Sequence, residues 1–103
     1  VDSFGYMQTT DVERLFSFID KYLSPEIRIG FHAHNNMDLA FSNVQHFLKI
    51  HGDRNIIIDS CAIGMGQGAG NMQTELILPH LNTKYEKNTA MMNFWKCASW
   101  LKN

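Results

Sequence analysis

Two short apolar stretches, residues 27–34 and 55–60, are separated by a segment whose apolar residues recur at helical spacing. This pattern constrains the chain more than any other feature. In the first stretch, IRIGFHAH, a strand would place Ile27, Ile29, Phe31 and Ala33 on one face and Arg28, Gly30, His32 and His34 on the other. The second stretch, NIIIDS, has three consecutive isoleucines, as expected of a parallel strand buried on both faces. Strand, helix, strand in this order argues for a parallel pair joined by a crossover.

Helices are expected around this pair. Thr10-Asp11-Val12-Glu13 has the form of a capping box, and Val12, Leu15, Phe16, Ile19, Tyr22 and Leu23 follow at helical spacing until Ser24-Pro25. Asp38 is the expected N-cap of a second helix, with Leu39, Ala40, Val44, Phe47, Leu48 and Ile50 on its buried face and Gly52 beyond its C-terminus. A glycine-rich loop, GMGQGAGN, covers residues 64–71, and a third helix should begin near Asn71 or Met72. Pro79 is expected to break or kink it, with Leu81-Asn82-Thr83 as a turn. Met92, Trp95, Ala98 and Leu101 are spaced for a further helix from Thr89 on. Val1 reads as the end of an earlier strand and Asp2-Ser3-Phe4-Gly5 as the loop after it, so the sequence is expected to start inside a domain.

Composition narrows the class. With 45% hydrophobic residues, 18% charged residues and a net charge of −1, the chain is globular, and no basic stripe points to nucleic acid. No apolar run approaches the ~20 residues of a membrane span, and no leader is visible. Cys61 and Cys97 are too few for a disulfide scaffold, which favours a reducing, cytoplasmic setting.

His32 and His34 are the leading candidates for chemistry. On one strand face they stand roughly 6.6 Å apart, within reach of one metal ion. Short H-x-H patterns also occur as ordinary strand histidines, but here both fall at the carboxyl end of the strand, where α/β proteins place their sites. A third ligand is wanted, and Asp2 and Asp59 are at hand. A structural role, or orienting a neighbour through a hydrogen bond, ranks above direct ligation for both. Gly66, Gly68 and Gly70 suit an anion-facing loop, with Asn71 opening a helix behind them. A dinucleotide site is disfavoured because no second acidic strand end follows, and a P-loop is excluded by the missing Lys-Ser or Lys-Thr. Cys61 reads as a small buried hydrophobe rather than a nucleophile, and His46, His51 and His80 as solvated.

VDSFG, GFHAHNNMDLAFSN and IDSCAIGMGQGAGNMQTE together resemble the metal-dependent aldolase and lyase superfamily with a TIM-barrel catalytic domain. That superfamily includes 4-hydroxy-2-oxovalerate aldolase, HMG-CoA lyase and the isopropylmalate and homocitrate synthases. The G-M-G-x-G-A-G-N loop resembles the 4-hydroxy-2-oxovalerate aldolase branch. Asn36 stands where the condensing synthases carry Asp, and Gln67-Gly68 where they carry Glu-Arg. Acyl-CoA-dependent Claisen condensation is therefore the secondary reading, and a non-catalytic interaction module using the Trp95 and Trp100 tail the third.

The resemblance implies an α/β fold: about three βα units, from the end of strand six to strand eight of a (β/α)₈ barrel. Residues 1–82 would be barrel and 83–103 a helical tail. It implies His32 and His34 as metal ligands, and Ser3 and His32 as contacts to a 2-oxo acid. Asn71 would be a ligand or stand just behind the ligands, and Mn²⁺ or Mg²⁺, or another divalent metal, would be the cofactor. The family's remaining aspartate ligand and catalytic arginine belong to the first strand, which this sequence does not contain. The expected partner is thus the N-terminal half of the barrel, with self-association left open, and no catalysis is expected from the piece alone.

Overall fold

The computed structural model describes residues 1–85, so the helix expected from Thr89 on lies outside the described residues. The element order is α1 (Thr9–Tyr22), β1 (Ile29–Phe31), α2 (Ala40–Ile50), β2 (Ile56–Ile58), a 3₁₀ turn (Ala62–Gly64) and α3 (Thr74–Tyr85). The two strands pair in parallel, with Ile29 opposite Ile56, Gly30 opposite Ile57 and Phe31 opposite Ile58. None of the described helices is long and apolar enough to cross a membrane.

The N-cap of α1 lies two residues before the expected one. The buried Asp2 carboxylate accepts from the N–H groups of Tyr6 and Met7 at 3.2 and 3.1 Å, which closes the preceding loop early. Gln8 then takes the N-cap position in extended conformation, and Asp11 Oδ2 accepts from its N–H at 3.0 Å. Only Val12 and Phe16 of the expected apolar face are buried. Leu15, Ile19 and Tyr22 are exposed and, with Phe18, make a second stripe that nothing among the described residues covers. The helix ends before Ser24-Pro25 as expected, with the Leu23 N–H bonded to the Ile19 carbonyl.

The regular strand is shorter than residues 27–34. Its backbone bonding nevertheless continues past Phe31: the Asp59 N–H donates to Phe31 O, and the Asp2 N–H to His32 O, both at 3.1 Å. The end of the first segment and β2 thus flank β1 on opposite sides. Face alternation holds where it matters, since Phe31 and Ala33 are buried in the core while His32 lies on the other face. Ile27, expected inside, is exposed because it precedes the paired residues. The isoleucine run is buried on one face only. Ile56 and Ile58 pack against the core, whereas Ile57 shares the Gly30 face and is exposed.

The core is built where α1 and α2 meet this sheet. The Phe47 ring lies 5.6 Å from Phe16 and 5.4 Å from Phe31, with Val12, Val44, Leu48, Met72 and Ile77 around them. Burying such side chains supplies roughly 1.5–3 kcal/mol each. α2 is capped from farther back than expected. Asp38 adopts φ +55° and cannot be the N-cap; Asn35 Oδ1 instead accepts from the Ala40 N–H at 3.2 Å. Gly52, just past α2, takes φ +59° as expected of a residue at that place.

α3 begins at Thr74, not at Asn71. Asn71 and Met72 form an extended crossing segment whose N–H groups donate to Gly64 O and Ala33 O. Pro79 does not end the helix, and residues 81–83 are helical rather than a turn. The missing proline N–H removes one bond, while Ile77 and Leu81, one turn apart, keep packing on the core.

Candidate metal centre

His32 and His34 lie at the carboxyl ends of the parallel strands with ring centroids 5.0 Å apart, edge to face. Each ring is held by an acceptor from a different neighbouring loop. His32 Nδ1 is 3.0 Å from Asp59 Oδ2, at the end of β2. His34 Nδ1 is 3.3 Å from the carbonyl oxygen of Ser3. The contact from Ser3 is thus made by its backbone, while its side chain stays exposed.

Asn71 closes the group from the glycine loop. Its Oδ1 lies 3.2 Å from His32 Nε2, and its Nδ2 donates to the Met65 carbonyl at 2.8 Å. That second bond fixes the amide, because turning it over would set Oδ1 against a carbonyl oxygen. Cys61 Sγ, 3.6 Å from the same Nδ2, adds a weak contact from a half-buried thiol.

Hydrogen bonding in this group does not balance. A neutral imidazole carries one N–H, yet His32 faces an acceptor on each nitrogen. If the charged acceptor, Asp59, holds that one proton in preference to an amide oxygen, the ring carries it on Nδ1. Nε2 then points a lone pair at the lone pairs of Asn71 Oδ1. Two acceptors that face one another are reconciled by a proton on Nε2 or by a metal ion near both. Imidazole nitrogen and amide oxygen are donors to Mn²⁺, Mg²⁺ and similar ions. No cluster of three or more His, Cys, Asp or Glu side chains occurs among the described residues, so a cation here would rest on two imidazoles and an amide.

Of the carboxylates considered from sequence, Asp2 has both oxygens on backbone N–H groups and is structural. Asp59 contacts His32. The loop glycines serve Asn71 directly. A Cβ at Gly66 would fall 2.7 Å from Asn71 Nδ2, one at Gly64 2.9 Å from Asn71 O, and one at Gly70 2.1 Å from Gly64 O. Gly70 and Gly64 also have positive φ. Gly68 lies nearest Asn36, whose backbone N and Oδ1 would meet a Cβ on Gly5 at 2.8 Å. The three strand-end loops therefore touch at Asn36 and Asn71. Sequence reasoning missed the Met65 carbonyl, which no residue type signals. It also placed the other histidines in solvent, but all three are half-buried. His46 Nε2 is 2.9 Å from Glu13 Oε2, His51 Nδ1 3.0 Å from Arg54 O, and His80 stacks edge-on to Phe41.

Comparison with known proteins agrees with the motifs. A family model described as HMGL-like matches residues 1–100. A 4-hydroxy-2-oxovalerate aldolase of Thermomicrobium roseum is 44% identical over 77 residues, covering 75% of this chain and 20% of that protein. 4-Hydroxy-2-oxovalerate aldolase 2 of Comamonas testosteroni is 36% identical over 77 residues, covering 75% of this chain and 21% of its own length. A crystal structure from Bacteroides vulgatus, described as the N-terminal domain of an aldolase, superposes with a TM-score of 0.76 at 31% identity, over 97% of this chain and 33% of that one. The chain spans about one fifth of the length of these curated relatives. It belongs to the HMGL-like family.

Proposed function

We propose that this chain supplies the last three βα units of a TIM-barrel, divalent-metal-dependent aldolase that makes or breaks a C–C bond beside a 2-oxo acid. The observation that carries the reading is the mismatch at His32, where Nε2 and the fixed Asn71 Oδ1 face each other at 3.2 Å with His34 beside them. The family and the 4-hydroxy-2-oxovalerate aldolase relatives support the reaction class. The exposed α1 stripe of Leu15, Phe18, Ile19 and Tyr22 supports further barrel units packing alongside.

In this reading His32, His34 and Asn71 hold Mn²⁺ or Mg²⁺. The bound ion supplies a Lewis acid for the oxygens of a 2-oxo acid. The remaining work falls to the chain itself. Asn71, pinned by Met65 O, keeps its oxygen directed at the site. Ser3, exposed at the rim, presents its hydroxyl to the substrate, while its carbonyl orients His34. Gly66 and Gly68 are exposed, and their N–H groups donate to no described backbone carbonyl, leaving them for a substrate carboxylate.

Titrating the 103-residue chain with Mn²⁺, followed by electron paramagnetic resonance, tests the metal site. Bound Mn²⁺ that is lost in both His32→Ala and His34→Ala is expected; binding indifferent to both substitutions would sink the reading. The chain alone, supplied with Mn²⁺ and a 4-hydroxy-2-oxo acid, should show no turnover, since two imidazoles and an amide leave it short of the family's ligand set.

A further inference from the structure

We propose that Asp59 is a positioning residue. It selects the tautomer of His32, and so dedicates His32 Nε2 to a cation instead of to Asn71. This rests on the metal-site reading above and adds the device that keeps the site ready.

Asp59 Oδ2, 3.0 Å from Nδ1, is acceptor-only when ionised. Asn71 Oδ1, 3.2 Å from Nε2, is acceptor-only as well, because its amide is held in that orientation by the 2.8 Å bond from Nδ2 to Met65 O. A neutral ring satisfies one of the two. Without Asp59, no other described residue competes with Asn71 for the ring proton. His32 would then place N–H on Nε2 and bond it to Asn71 Oδ1, closing both groups into a neutral pair with no donor left for a metal. With Asp59, the charge-assisted bond wins and the pair stays open.

The two histidines make the point by contrast. Nδ1 of His34 meets a neutral carbonyl, Ser3 O, at 3.3 Å, and no facing acceptor competes for its proton. Among the described residues a weak acceptor is all that His34 meets, whereas His32 has a competitor and is given a carboxylate. Asp59 reaches it by register alone. Phe31 pairs with Ile58, so the residues one step further on, His32 and Asp59, emerge side by side on the face shared by Gly30 and Ile57. Asp59 is half exposed and makes no other side-chain hydrogen bond among the described residues, so its removal leaves the fold in place.

The test uses the ¹⁵N-labelled 103-residue chain without metal, at a pH where the histidines are neutral, and then the same chain with Mn²⁺. In the wild type, imidazole ¹⁵N shifts and couplings should report His32 with its proton on Nδ1. Asp59→Ala should move it to Nε2 and weaken Mn²⁺ binding by roughly 10–100-fold. Asp59→Asn, which keeps a carbonyl acceptor of the same reach, should recover part of both. Asp59→Ala with His32 still protonated on Nδ1, or with unchanged Mn²⁺ affinity in a chain that binds Mn²⁺, would overturn the proposal. Failure of the wild type to bind Mn²⁺ would instead remove the metal-site reading, while the tautomer measurement would still decide the role of Asp59.

Discussion

The two ends of the parallel strand pair follow opposite rules. At the amino end, Arg54 is buried and uses all five of its N–H donors. Nε donates to the Asp20 carboxylate, Nη1 to Ser24 O and Ile27 O, and Nη2 to Asp20 O and Leu23 O. One side chain thereby satisfies the last carbonyls of α1 and locks the turn into β1 to the start of β2. At the carboxyl end, His32 has an acceptor beside each ring nitrogen, Asp59 Oδ2 and Asn71 Oδ1, so a neutral ring satisfies only one of them. One end is saturated and serves stability; the other is where the proposed cation would sit. Parallel α/β sheets in general place their chemistry at the carboxyl ends of the strands.

Removing the saturated end should cost the most. Arg54→Met leaves four backbone carbonyls without their donor and is expected to lower stability by about 3–5 kcal/mol, read from the urea unfolding midpoint. Arg54→Lys, with three donors on a point charge, should recover only part. A loss below about 1 kcal/mol in Arg54→Met would break the contrast.

Gly70→Ala comes next and acts at the other end. A Cβ there meets Gly64 O at 2.1 Å and the backbone has φ +87°. The strain, about 1–3 kcal/mol, should fall on the loop that holds Asn71. Mn²⁺ affinity should therefore fall further than global stability does. Equal losses in the two measurements would mean that the loop and the scaffold are one unit.

Glu13→Gln gives the smallest effect and calibrates the other two. Its pair with His46 spans α1 and α2 with the carboxylate 58% exposed, so the expected loss is below about 1 kcal/mol in thermal unfolding. A larger loss would show that the flank between the two ends is not neutral ground.

What was legible in the sequence was whatever depends on period. Alternation placed His32 on the face opposite Phe31 and Ala33, and helical spacing located α1, α2 and the start of their shared core. The motifs identified the family. Asp59 was readable as an orienting group because an acidic residue ends a strand beside one that carries histidines. The parts that were not legible involve the backbone as a partner. Arg54 binds carbonyls, which leave no mark in the residue types around it. Met65 holds Asn71 through its carbonyl. Asn35 caps α2 from five residues before Ala40, so the nearer Asp38 looked like the cap. Ile57 and Leu15 have the residue types of a core but stand on faces that no described element covers.

The α1 stripe has a practical consequence for anyone handling the chain. Phe18 and Tyr22 stack on one another with ring centroids 5.1 Å apart, next to Leu15 and Ile19, in open solvent. Such a patch takes up apolar dyes, adheres to plastic and phenyl resins, and draws copies of the chain together as concentration rises. With a net charge of only −1, little repulsion keeps those copies apart. Dilute, low-temperature conditions or a mild non-ionic detergent are therefore the natural solvent for this chain, and its colloidal behaviour will report on α1 before any assay reports on the histidines.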